Sequence, residues 1–146
     1  MHENKLPEQS DWNGAHKTPR FHIPMKTIHI ENKTRPLASP LNAPYCDSFL
    51  CRLRGLMFRS SLPSDKGLLL VEAGESRLNT AIHMLFVFME LAVIWINSEK
   101  VVVDIVLARA WRPAYIPHQS ARYILEIHPD RLNEFKIGDQ IEFQNE

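Results

Sequence analysis

The side chains able to do chemistry are dispersed along the chain and do not fall into a compact motif. Seven histidines occupy positions 2, 16, 22, 29, 83, 118 and 128 of 146 residues. None makes a His-x-x-x-His pair, and the cysteines make no Cys-x-x-Cys, so a zinc-type ligand spacing is absent. A site assembled in space from His83, Glu126 and His128 stays open, but isolated histidines are more often structural or superficial. We therefore expect no metal and no cofactor. There is no Gly-x-Ser-x-Gly elbow for a serine nucleophile, and no Gly-rich loop for phosphate.

Glu126 is the strongest acid–base candidate, because it interrupts an apolar alternation beside Arg122 and His128. A hydrolase would pair it with His83 or His128 across a cleft. The plainer expectation is a semi-buried carboxylate partnered by Arg54 or Arg59. Asp104, alone in an apolar stretch, takes the same argument. Arg52, Arg54 and Arg59 could hold an anion or simply favour a helix C-terminus. The loop Trp111-Arg112-Pro113-Ala114-Tyr115-Ile116-Pro117 could stack a sugar or base, or seal one end of a core. Met84, Phe86, Phe88 and Trp95 read as core.

Cys46 and Cys51 lie five positions apart. On one helix their axial separation would be about 7.5 Å, beyond the roughly 7 Å a disulfide spans. Free thiols are expected, with Cys46 an inert core thiol, in keeping with a reducing compartment.

Composition bounds the class. Apolar residues make up 45% and charged residues 23%, ordinary values for one globular domain. Basic and acidic residues both number 17, so the overall basic excess of a nucleic-acid binder is missing. The balance is uneven: residues 1–60 carry nine basic and five acidic groups (+4), and residues 61–146 eight and twelve (−4). The apolar run Ala81–Ile96 contains His83 and Glu90, and it is shorter than the about 20 apolar residues of a membrane span. The N-terminus lacks a secretory pattern. No membrane partner is expected, and the cytoplasm is the default location.

These side chains must be positioned by a mainly-β domain over 26–146, preceded by a polar, Pro-punctuated arm over 1–25. The pattern predicts strands over Lys26–Glu31, Gly67–Val71, Ala81–Met89, Leu91–Asn97, Val101–Ala108, Arg122–His128 and Ile141–Phe143. A short edge strand is expected over Thr34–Ala38, a polar loop over Glu72–Thr80, and a helical turn over Pro129–Phe135. Arg122–His128 alternates: Tyr123, Leu125 and Ile127 face one way, Ile124 and Glu126 the other. One amphipathic helix is predicted over Asn42–Arg54. Asn42 would cap it, Pro44 would sit in its first turn, and Tyr45, Cys46, Phe49, Leu50 and Leu53 would share a face. Gly55 would end it in a left-handed conformation.

Arg54-Gly55-Leu56-Met57-Phe58-Arg59, then Leu62-Pro63, Gly67–Val71, His83-Met84, Leu91, Trp95-Ile96-Asn97, Pro113, Leu125-Glu126 and Gly138-Asp139 follow one another in an order that resembles the family called domain of unknown function 192. The likeness covers roughly residues 27–144. It implies a compact single-domain β-sandwich or barrel with one helix near the N-terminus, and it implies no activity. The chain departs from the family pattern at His83, where Trp is usual, at Glu90 for Pro, at Ala92 for Asp, and at Phe86-Val87 for a polar pair. A family site lined by those polar positions would be partly lost or rebuilt in this chain.

The resulting expectation is a non-catalytic domain that binds a small polar ligand, a carbohydrate or an anion, through Arg54, Arg59, His83, Trp111, Arg112, Tyr115 and Glu126. The alternatives are a hydrolase using Glu126, and an interaction module using the arm and a sheet edge.

Overall fold

The structure is a computed structural model that describes residues 25–145, so all of the expected arm except Met25 lies outside the described residues. Seven strands form one sheet: β1 (Thr27–Asn32), β2 (Asn42–Cys46), β3 (Gly67–Ser76), β4 (Leu91–Ile96), β5 (Val102–Ala108), β6 (Ala121–Ile127) and β7 (Ile141–Asn145). A short helix α1 (Phe49–Arg54) follows β2, and a 3-10 helix spans Pro129–Glu134. The strand order is β5-β4-β6-β3-β2-β1-β7. All pairings are antiparallel except β2 with β3.

The sheet is curled into an open half-barrel, and its two edges touch at one corner. Val101 bridges Gln140 there. Ile141 N donates to Lys100 O at 2.8 Å and Val102 N to Asp139 O at 2.9 Å. The edge strands thus satisfy part of their free backbone on each other, which shortens the exposed edge.

The central strands are buried on both faces, as their unbroken apolar runs require. Leu91, Val93 and Trp95 of β4 join Leu68, Leu70 and Ile124 in one core. Ala92, Ile94 and Ile96 turn to the other face and meet Ile28, Ile30, Leu125, Ile127 and Phe135. Gly67 is required by close approach: a Cβ there would stand 2.9 Å from Glu126 O. Met84 and Trp95 are core as expected, but Phe86 and Phe88 are exposed.

The predicted helix over Asn42–Arg54 is corrected. Its first half is strand β2, held by β1 on one side and by β3 on the other. Only Phe49–Arg54 is helical, with Ser48 as its N-cap. The apolar residues of Asn42–Cys46 fit a two-residue period as well as a helical one, and long-range pairing decided between them. The supposed core face is also corrected: Phe49, Leu50 and Leu53 are exposed. Gly55 does end the helix, at φ +46°.

Placing Cys46 on a strand and Cys51 on the helix overturns the free-thiol expectation. Their Cα atoms are 5.7 Å apart, and the two form a disulfide. The argument from free thiols to a reducing compartment falls with it. No helix among the described residues is long and apolar enough to cross a membrane.

Three smaller expectations also change. Ala81–Met89 is not a strand; only Ile82 makes a bridge, to Tyr115. Thr34–Ala38 is loop. β3 runs on to Ser76, into what read as a polar loop.

Candidate functional site

A cavity of about 410 Å³ lies between α1, the segment around Ala81–Val87, and one face of β3, β4 and β6. Leu53, Leu56, Leu70, Met84, Leu91 and Ile124 make most of its wall apolar, while Arg54, His83 and Glu126 add polar groups.

Glu126 reaches the cavity because of strand alternation. Leu125 and Ile127 enter the opposite core, so Ile124 and Glu126 turn to this side. Its backbone is fixed between Leu68 of β3 and Val93 of β4. The residue is only 5% exposed, and Oε2 has no hydrogen-bond partner. Burial pushes the carboxyl up to about 7 from its ordinary 4.5, because a charge without a counter-ion is costly in a low-dielectric site. The expected ion pair with Arg54 or Arg59 is therefore not formed.

His83 also lines the cavity, from the Ala81–Val87 segment. Its segment is laced down by Ile82 N to Tyr115 O at 3.0 Å and Met84 N to Arg112 O at 2.9 Å. Trp95 Nε1 donates to Thr80 O at 2.7 Å and anchors the start of the segment. His83 Nε2 lies 3.3 Å from Leu53 O, while its buried Nδ1 has no partner. Two polar atoms that normally demand hydrogen bonds are thus left unmatched beside one cavity, an arrangement that needs a reason.

The lip is α1. Arg52 Nε pairs with Glu72 Oε1 of β3 at 2.8 Å, and its guanidinium also donates to Asp47 O. With the disulfide, these contacts hold a six-residue helix whose side chains contribute little buried surface of their own.

The other predicted residues lie elsewhere. Tyr115 is buried and its hydroxyl accepts from Arg109 N at 2.7 Å. The Arg112 guanidinium lies 4.8 Å over the Tyr115 ring. These two residues brace the loop. Trp111 is exposed, next to Phe86 and Phe88, and Arg59 is also exposed. His128 accepts from Asp130 N at 3.2 Å at the start of the 3-10 helix and does not line the cavity. Asp104 does find a partner: His118 donates to it from backbone N and contacts it through Nδ1, both at 2.8 Å. Among the described residues, no group of three or more His, Cys, Asp or Glu is arranged to hold a metal ion.

The site therefore unites three of the seven candidates, Arg54, His83 and Glu126. Sequence reasoning placed Gly55 at the helix end but missed that this end forms the lip beside Glu126. The available signal was Gly55 itself, because a helix ending on glycine beside a motif places its C-terminus at that motif.

Comparison with known sequences fits this frame. Residues 28–143 match the model of the DUF192 family, described as uncharacterized ACR. The chain belongs to the DUF192 family. A UPF0127 protein of Thermococcus gammatolerans is 40% identical over 97 residues, covering 66% of this chain and 61% of the relative. This chain thus spans less than two thirds of that relative's length. A UPF0127 protein of Thermococcus sibiricus is 36% identical over 118 residues, covering 79% of this chain and 74% of the relative. A crystal structure from Sinorhizobium meliloti 1021, described as a candidate transcription regulator, superposes with a TM-score of 0.69 at 17% identity, covering 81% of this chain and 92% of that one. At that identity the DUF192 fold is what the two share. The DUF192 relatives are uncharacterised proteins, and the family's molecular function is unknown.

Proposed function

We propose that this DUF192 protein is a non-catalytic binding domain whose site is the cavity under α1. The carrying observation is the pair of unmatched polar atoms on residues that line one cavity, Glu126 Oε2 and His83 Nδ1. A ligand bearing hydrogen-bond donors on one side and an apolar edge on the other would satisfy both and cover the aliphatic wall. Of the two expected ligand classes, the carbohydrate or polyol type is favoured over the anion. Glu126 repels an anion once ionised, and Arg52, one of the two arginines lining the cavity, is already engaged with Glu72.

A thermal-shift series of neutral sugars, polyols, primary amines and inorganic anions tests the reading. Hydroxyl- or ammonium-bearing members should raise the melting temperature, and anions should not. Glu126→Leu, similar in volume, should fold and lose the shift. Stabilisation by no member, or a shift that survives in E126L, overturns it.

The second reading is a hydrolase with Glu126 and His83 as proton-transfer groups. It is favoured by the carboxyl's position near 7, where general acids and bases are effective. Product release from a glycoside and ester panel that disappears in both E126Q and H83A would establish it in place of the binding reading.

A further inference from the structure

Four aromatic rings project from one end of the sheet. Phe58 is 67% exposed, Phe86 43%, Phe88 51% and Trp111 47%. Their centroids lie 5.1 to 5.5 Å apart in a continuous chain, Phe58 on Phe86, Phe86 on Trp111, and Trp111 on Phe88. An apolar cluster of this kind, left in water, usually marks a contact surface.

The cluster is built into the backbone. Phe58 N donates to Phe86 O at 2.7 Å, Phe88 N to Arg59 O at 3.1 Å, and Trp111 N to Met84 O at 2.9 Å. Three loops are thereby tied into one platform. Phe58, Phe86 and Trp111 have φ of 62°, 60° and 64°. The left-handed region is disfavoured for bulky residues, so such conformers are a pointer to function. Asparagine or glycine would hold these turns with less strain. Here aromatic residues occupy them, and the rings are turned outward.

The rim is cationic. Arg59 follows Phe58, and Arg109 and Arg112 flank Trp111; Glu90 is the acid on these segments. Among the described residues none of the three arginines has a carboxylate partner. The Trp111 indole N–H likewise has no acceptor there, whereas that of Trp95 donates to Thr80 O.

We infer that this end of the domain docks peripherally on an anionic lipid bilayer, with the four rings in the interfacial layer and the arginines on lipid phosphates. Trp and Phe beside Arg is the composition that lies at a membrane–water interface. Ring geometry argues against single-stranded nucleic acid. Trp111 meets Phe86 at 62° and Phe88 at 73°, and Phe58 stacks on Phe86. The rings pack on one another and do not present separated parallel faces for successive bases. None of the four rings lines the cavity, and the contact needs no spanning helix.

The test is co-sedimentation of the full chain with phosphatidylcholine vesicles, and with vesicles of equal phosphatidylcholine and phosphatidylglycerol. The protein should sediment with the mixed vesicles, much less with neutral ones, and less again as salt is raised. Phe86→Asn with Trp111→Asn should abolish sedimentation. Asparagine tolerates the left-handed backbone, and an unchanged melting temperature verifies the fold. Arg59→Gln with Arg112→Gln should reduce partitioning about thirtyfold. The inference is overturned if the chain fails to sediment with mixed vesicles, if it sediments equally with neutral ones, or if the asparagine variant still binds. It is overturned in favour of nucleic acid if an oligothymidylate is bound, vesicles are not, and the asparagine variant loses the oligonucleotide.

Discussion

A β-carbon placed on Gly55 would stand 3.9 Å from Glu126 Oε2, so the C-terminus of α1 ends directly against the buried carboxyl. Closing the lip over this carboxyl adds to its burial, and burial is what raises the cost of ionising Glu126. The pair therefore ties the lip of the cavity to the protonation of its floor.

The first prediction concerns pH. The folded-state carboxyl of Glu126 titrates at about 7, above its ordinary 4.5. A raised acid contributes stability that is fully present below the unfolded value and is lost as pH rises through the folded value. Stability should fall between pH 4.5 and 7 by about 3 kcal/mol on this account. Urea melts of wild type and Glu126→Gln across this range should converge at low pH and separate at pH 8, with the variant more stable there.

The opposite sign is expected at Asp139. Arg35 donates to both of its oxygens at 2.7 and 2.8 Å, and Asn32 donates at 2.8 Å. The Arg35 hydrogen bonds hold this carboxyl down at about 2 against an ordinary 3.8. Its contribution is present above the unfolded value and is lost as pH falls through 2. Asp139→Asn should cost about 2 kcal/mol at neutral pH, measured by urea denaturation, and should flatten the acid limb.

Gly67→Ala should destabilise by about 1–3 kcal/mol. The added methyl meets Glu126 O at 2.9 Å and Ile127 Cγ2 at 3.0 Å, and the first of these is backbone inside a sheet. A melting temperature equal to wild type would show that β3 and β6 can separate at little cost.

Reduction of Cys46–Cys51 should remove about 2 kcal/mol, the loop-closure value for so short a span. Amide exchange should accelerate in Phe49–Arg54 and leave β4 and β6 unchanged. The helix has no buried residue of its own, so a covalent tie and the Arg52–Glu72 pair carry its position.

Local sequence was sufficient wherever one physical preference dominated. The alternation of β6 and the glycine that ends α1 are local facts, and both the strand and the helix C-terminus stand where they put them. Asn42–Cys46 was illegible because its apolar spacing suits two periods, and its partners lie outside the local window. The disulfide was hidden by the same error, since the distance between the cysteines depends on where the chain turns.

By itself the sequence determined a mainly-β domain of the DUF192 family and singled out Glu126, because a carboxylate in an apolar alternation is anomalous at any depth. Only the tertiary structure decided that Glu126 has no cation and lines one cavity with His83, and that Phe58, Phe86 and Trp111 stand outward on left-handed turns. Both depend on loops and strands that meet over long separations. A side chain's type is written in the chain, while its partners are set by what the fold brings beside it.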